Sequence, residues 1–222
     1  MTGLQALGDS FTCGEGVGVQ VPLAATWAAL LAEGLAMPHR SLAVAGARVR
    51  DVREVQLPQA TEAEVSTLLV GLNDIARGGF DIDLVREGLQ ACVDRLRSLS
   101  EHVVIGRLHD PSRVLWMPAP LRRVVRRRQQ LVNAEIDQLE GVSLVDLDAV
   151  PELRVPGGWA VDRVHPSAAG HRALARAAAS SLGRDILDGV VLPKPPGLAQ
   201  RAVWSARHGA PYLAGQVIGR WT

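Results

Sequence analysis

Four short segments of the chain carry residue types that could do acyl chemistry. Gly8-Asp9-Ser10 offers a hydroxyl near the N-terminus, and Asp162-Arg163-Val164-His165-Pro166 offers an imidazole with a carboxylate three residues before it. A serine hydroxyl is too weak a nucleophile to attack an acyl carbon unaided. It needs an imidazole within hydrogen-bond reach to take its proton, and that imidazole needs an anion to fix its tautomer. Ser10, His165 and Asp162 can fill these three roles. The tetrahedral intermediate then requires donors aimed at its oxyanion. The Ser10 amide, the amide of Gly46 within Ala45-Gly46-Ala47, and the Asn73 carboxamide within Gly71-Leu72-Asn73-Asp74 are the candidates. Asp9 and Asp74 stand where a strand-end carboxylate commonly ties down backbone amides, and they are read as structural supports. Each segment alone is a weak signal, since an isolated Gly-Asp-Ser is usually a turn and Asp-x-x-His is common. Their order and placement carry the information.

The placement follows from the elements. Apolar runs at Leu4–Leu7, Ser41–Val44, Val65–Val70, His102–Ile105 and Val142–Val145 predict strands. Between and after them, helical patterns are predicted over Trp27–Leu35, Asp81–Leu99, Leu121–Leu139 and Ser167–Leu182, the last with Ser167 as N-cap. Alternation of this kind builds βαβ units, hence an α/β three-layer sandwich around a five-stranded parallel sheet. In such a sheet, sites form beyond the carboxyl ends of the strands. Three of the four segments directly follow a predicted strand, and the fourth precedes the last helix of the sandwich.

With the four blocks in this order, the sequence resembles the GDSL-type esterases and lipases, also called SGNH hydrolases after their serine, glycine, asparagine and histidine blocks. The resemblance spans about residues 3–183. It implies a flavodoxin-like fold. It also implies Ser10 as nucleophile and oxyanion amide, Gly46 and Asn73 as the other oxyanion donors, Asp162 as orienting acid and His165 as base. Members of the family act on lipids, sugars, small esters and thioesters, so a small-molecule acyl ester or thioester is the expected substrate. Two features depart from the pattern: the glycine-rich stretch Cys13-Gly14-Glu15-Gly16 directly after the serine turn, and a tail beyond Pro193. The same machinery admits a second reading, an acyltransferase or thioesterase-like chain-releasing enzyme in which an acceptor other than water resolves the acyl-enzyme. A non-catalytic binding module is the reading from another class.

Composition narrows the remaining field. The chain has 222 residues, 47% hydrophobic and 21% charged, with formal net charge +1. That is a globular balance with no basic field for nucleic acid. Two cysteines, Cys13 and Cys92, cannot make a disulfide framework, and no signal peptide or stretch long enough to span a membrane stands out, so a cytoplasmic location is expected. Gly14, Gly16 and Gly18 come too far past the first strand to cradle a dinucleotide, and the six histidines lack paired metal spacing, so no cofactor and no metal are expected. Arg122, Arg123, Arg126, Arg127 and Arg128 are read as a solvated helix face. Trp116, Met117 and Trp159 fall in the two loops expected to shape the substrate pocket, Gly106–Pro120 and Ala149–Val161. The expected division is a catalytic domain over residues 1–190 and a proline-interrupted, helical extension over 191–222. That extension carries Trp204, Tyr212 and Trp221, to be buried against the body or used in a homodimer contact.

Overall fold

A computed structural model describes residues 3–16, 18–186 and 190–209. Its centre is β1, Leu4–Gly8, in which every residue is buried. A strand covered by helices on both faces has no solvated side, which is why Leu4, Ala6 and Leu7 read as a run with little alternation. Beside β1 lie β4 (His39–Ser41) and β5 (Ala63–Leu69), followed outward by β6 (Ser100–Arg107) and β7 (Ser143–Asp146). The order β4-β1-β5-β6-β7 is all parallel. Counting only these five strands, the order is 2-1-3-4-5, the flavodoxin-like doubly wound arrangement that the family resemblance implies. A separate two-stranded hairpin, β2 (Glu15–Gly16) with β3 (Val19–Gln20), stands outside the sheet.

Helices cover both faces. α2 (Trp27–Gly34) packs on α7 (Ala168–Ser181), while α5 (Ile82–Leu99) packs against α3 (Val49–Asp51) and α6 (Ala119–Ile136). α5 forms as its sequence dictates. Asp81 caps it by accepting from the Asp83 and Leu84 amides at 3.0 and 3.3 Å, and Val85, Leu89, Cys92, Val93 and Leu96 make the buried stripe. α7 is capped by Ser167, whose hydroxyl accepts from the Gly170 amide at 3.2 Å.

Two elements depart from expectation. The run Ser41–Val44 is not the second strand, which is the polar His39–Ser41 instead. This strand lies at the sheet edge and pairs only with β1, so it has no need of a continuous apolar sequence. Leu42 and Val44 still donate to the Ala6 and Gly8 carbonyls as the chain bends out of the sheet. The second departure is a helical segment over residues 49–59 in which α3 widens at Val52–Gln56 and tightens at Leu57–Gln59. It buries Val49, Val52, Gln56 and Leu57.

The tail includes the expected helix, α8 (Leu198–Trp204), which has no fully buried residue; Trp204 is half-buried. Tyr212 and Trp221 lie outside the described residues. Among the described residues, the Pro193 carbonyl and the Leu192 side chain lie against Gly157, and the His208 ring lies against Gly18. Among the described residues no helix is long and apolar enough to cross a membrane.

His171 shows how α7 is fastened to the rest. Its Nδ1 accepts from the Trp27 amide at 3.2 Å, and burial, seconded by the charge of His165, pushes its pKa down to about 4. The folded state therefore binds fewer protons than the unfolded chain between pH 6.5 and 4, so the stability His171 contributes is present above about pH 6.5 and is lost as pH falls through 4. His171→Ala should lose about 2–3 kcal/mol at neutral pH from an unpaired buried amide and a cavity. His171→Asn keeps an acceptor and should flatten that part of the acid-side decline, as denaturant unfolding between pH 7 and 4 will measure.

Candidate active site

The nucleophile turn begins where β1 leaves the sheet. Asp9, not Ser10, is the N-cap of the one-turn helix α1 (Ser10–Cys13), and its side chain accepts from the Phe11 amide at 3.0 Å. Ser10 thus occupies the first helical position, with its hydroxyl free of capping duty. Two ties hold the turn from below. The buried Gln56 carboxamide clamps the Gly8 peptide, donating to its carbonyl at 2.8 Å and accepting from its amide at 2.9 Å. The Asp9 amide donates to the Leu69 carbonyl of β5 at 3.3 Å.

The histidine arrives from a tight loop before α7. Ala160 donates to the His165 carbonyl at 2.9 Å, and Trp159 bridges to Pro166, closing the loop at its base. Within it, one oxygen of Asp162 accepts from the Val164 and His165 amides at 2.9 and 3.0 Å. The other lies 2.5 Å from His165 Nδ1. On the far side of the ring, His165 Nε2 is 2.9 Å from Ser10 Oγ. Asp162 is buried and His165 nearly so, which keeps the pair in a low-dielectric setting where a hydrogen-bonded carboxylate fixes the proton on Nδ1. The arrangement can take a proton from the Ser10 hydroxyl.

The other two blocks meet the same edge. The Asn73 carboxamide donates to Asp9 Oδ2 at 3.2 Å and to the Ala47 carbonyl at 3.1 Å, tying together the turns that follow β1, β4 and β5. Gly46 has φ +79, a left-handed conformation, and its carbonyl accepts from Arg77 at 2.9 Å. Among the described residues the Ser10 and Gly46 amides donate to no other group. Both Asn73 N–H groups, by contrast, already have acceptors. All five residues singled out in the sequence are therefore tied into one strand-end cluster.

Asp9 and Asp74 serve as supports, as their positions implied. Asp74 accepts from the Val49 amide at 3.1 Å. Burial pushes the Asp9 carboxyl up to about 7 and that of Asp74 up to about 6. Sequence reasoning missed Gln56, which carries no signal beyond a glutamine among buried positions, and Arg77. It also missed the aromatic wall behind the site: His109 lies 5.6 Å from Phe11 and 4.7 Å from Trp159, centroid to centroid, and Phe11 lies 6.1 Å from His165. Burial pushes His109 down to about 4, so it is neutral in this wall at ordinary pH. Of the two loops expected to shape a pocket, Trp159 is buried in the wall while Trp116 is 89% exposed. Two of the five clustered arginines on α6 are structural: Arg126 pairs with Asp110 at 3.1 Å, and Arg128 donates to the Ile75 and Arg77 carbonyls. Arg122, Arg123 and Arg127 are exposed. Cys13 and Cys92 are free thiols, and burial raises the pKa of both. Among the described residues no group of three or more histidine, cysteine or carboxylate side chains could hold a metal ion.

The family model for the GDSL-like lipases and acylhydrolases matches residues 6–173. No curated protein matches the sequence. Among solved structures, the chain is similar to Axe2, an acetylxylan esterase from Geobacillus stearothermophilus, at 22% identity and TM-score 0.61, over 85% of this chain and 97% of that one. Variants of that esterase described as catalytic mutants replace a serine, an aspartate and a histidine, the last two lying three positions apart. An α/β hydrolase from the metagenome of Lake Arreo, LAE5, is also similar, at 22% identity and TM-score 0.58, over 82% of this chain and 95% of that one. At these identities the likeness establishes the fold.

The glycine-rich departure now has a physical reason at one position. A Cβ on Gly16 would lie 2.7 Å from His165 Cε1, so the β2–β3 hairpin lies against the imidazole only because residue 16 has no side chain. Gly16→Ala should displace the ring and lower the rate of Ser10 labelling by a fluorophosphonate about tenfold to a hundredfold. Because the hairpin lies outside the main sheet, the melting temperature should move by no more than a few degrees.

Proposed function

The chain belongs to the GDSL-like lipase/acylhydrolase family and is a serine ester hydrolase, and from that premise we propose that it works through an acyl-enzyme on Ser10. The observation that carries this reading is the continuous hydrogen-bonded path from Ser10 Oγ to His165 Nε2 at 2.9 Å and from His165 Nδ1 to Asp162 at 2.5 Å. The aspartate–histidine spacing also matches that of the two residues named as catalytic in the acetylxylan esterase.

In the proposed cycle Ser10 Oγ attacks the ester carbonyl carbon as its proton passes to His165 Nε2. Asp162 stabilises the resulting imidazolium and takes up no proton itself. The carbonyl oxygen becomes an oxyanion, received by the Ser10 and Gly46 amides. Asn73 joins them by turning one N–H away from Asp9 or Ala47. Collapse of the intermediate breaks the bond to the leaving oxygen, which takes the proton from His165. Water then attacks the acyl-enzyme with His165 again as base, releasing the carboxylic acid and restoring the serine. No step needs a metal or an organic cofactor.

Hydrolysis of a ladder of p-nitrophenyl esters from acetyl to palmitoyl tests this reading. Ser10→Ala should abolish turnover across the whole ladder, and wild-type enzyme should show a burst of nitrophenol equal to one acyl group per chain on fast-reacting esters. Asn73→Ala should lower kcat about a hundredfold to a thousandfold. Full activity in Ser10→Ala would overturn the mechanism, and an unchanged rate in Asn73→Ala would remove the carboxamide from it.

A further inference from the structure

Beside the loop that carries Asp162 and His165 lies a second feature, a cavity of about 50 Å³ lined by Arg113, Arg154 and Arg163 together with Val114, Pro156 and Trp159. A space of that size holds a few water-sized groups, which suits a carboxylate or phosphate and is too small for an acyl chain.

Charge at the cavity is unbalanced. Among the described residues Asp148 is the one carboxylate that reaches its arginines, lying 3.4 Å from Arg113, while Arg154 donates to the Asp148 backbone carbonyl at 2.6 Å. The neighbouring carboxylates are committed elsewhere: Glu152 pairs with Arg176, Asp110 with Arg126, and Asp162 with His165. Arg163 is half-buried; its backbone amide donates to the Ala160 carbonyl at 3.1 Å, and its guanidinium has no hydrogen-bond or ion-pair partner among the described residues. Its backbone is left-handed, φ +56, a conformation that a long side chain seldom adopts. The loop that sets Asp162 and His165 thus turns at Arg163 and delivers an unpaired guanidinium to the cavity. Three forked guanidiniums facing one carboxylate form a receptor for an oxyanion.

The cavity is lined from the same loop that carries His165 and bears on the leaving-group side of the proposed reaction. His165 must hand its proton to the leaving oxygen, so the alcohol or thiol portion of the ester leaves on the histidine's side, and Arg163 is two residues from His165. The inner wall of the cavity, Trp159, belongs to the aromatic cluster with Phe11, which in turn touches the His165 ring. We propose that this arginine cavity binds an oxyanion, a carboxylate or phosphate, carried on the leaving-group side of the substrate, making the enzyme selective for esters of anionic alcohols or thiols. This rests on the reading of His165 as the proton donor to the leaving group.

Three acetyl esters of similar reactivity test it: phenyl acetate, 3-acetoxybenzoate and 3-acetoxyphenyl phosphate. At low ionic strength the wild-type enzyme should favour at least one anionic ester over phenyl acetate by tenfold or more in kcat/KM, and added salt should shrink that preference. The phosphate and carboxylate arms identify which oxyanion fits. Arg163→Asn, which tolerates a left-handed backbone, and Arg154→Gln, outside the catalytic loop, should each reduce the anionic-to-neutral ratio about tenfold. A merely structural role would lower all three rates together and leave the ratio unchanged, overturning the proposal. Calorimetric titration of inorganic phosphate and of 3-hydroxybenzoate into Ser10→Ala protein gives a readout independent of catalysis. Binding that disappears in Ser10→Ala/Arg163→Asn supports the cavity as receptor, and absence of binding together with an unbiased ratio overturns it. Wild-type inactivity on all three esters would instead count against the catalytic reading, leaving the titration to decide the cavity.

Discussion

A parallel strand that ends at a functional site must stop pairing with its neighbours so that its last residues can turn outward, and each peptide group that leaves the ladder still needs a partner in a buried setting. The protein meets this constraint with buried side-chain amides. Gln56 satisfies both the N–H and the carbonyl of Gly8 where β1 ends. Asn133 does the same for Leu108 just beyond β6, accepting from its amide at 2.9 Å and donating to its carbonyl at 2.9 Å, with Gln129 adding a second donor. A carboxamide suits this because it presents a donor and an acceptor side by side, as a neighbouring strand would, and carries no charge to desolvate. Ser10 and the aromatic wall around His109 both stand on peptides held in this way.

The charged groups of the site follow a related economy. Asp9 and Asp74 are buried carboxyls pushed upward to about 7 and 6, and each accepts a backbone amide that a neutral acceptor could also satisfy. His109 and His171 are buried imidazoles kept neutral by the same desolvation. Between about pH 4 and 6 the acids make the folded state bind more protons than the unfolded chain and the histidines make it bind fewer, so their effects on stability oppose one another. Asp162 differs in kind. It is held by two amides of its own loop and faces an imidazole across a direct hydrogen bond, so both of its oxygens have partners from one short segment.

What could be read in the sequence was whatever depends on short spacing. A run of apolar residues ending in Gly-Asp-Ser has one way to sit in a parallel sheet, and an aspartate three residues before a histidine can close on it within a single loop. The helix cap Ser167 followed from an equally local pattern, whereas the strand order came only with the family resemblance. The contacts that crossed the fold were not legible. Gln56 lies 48 positions from Gly8, and nothing in its surroundings distinguishes it from a surface glutamine. Gly16 against His165 pairs residues from opposite ends of the chain, so the glycine-rich stretch was visible as a departure whose cause was not. The misplaced second strand has a similar origin: an edge strand is fixed by its partner's backbone, and hydrophobicity marks only the buried strands.

The position of Asn73 joins these themes. In the resting site its two N–H groups hold the Asp9 carboxyl and the Ala47 carbonyl, which draws the turns after β1, β4 and β5 together. On the proposed mechanism the Ser10 and Gly46 amides, which donate to no other group among the described residues, receive the oxyanion directly, and Asn73 exchanges one partner for it. That exchange costs little if the oxyanion is the stronger acceptor, and the bond to Asp9 is the weaker one to give up when the carboxyl is protonated, as its raised pKa makes it on the acid side of neutrality. On the proposed mechanism Asn73 is therefore a brace before the substrate arrives and an oxyanion donor once negative charge develops. Its contribution to the rate depends on how readily Asp9 and Ala47 release one of those hydrogens.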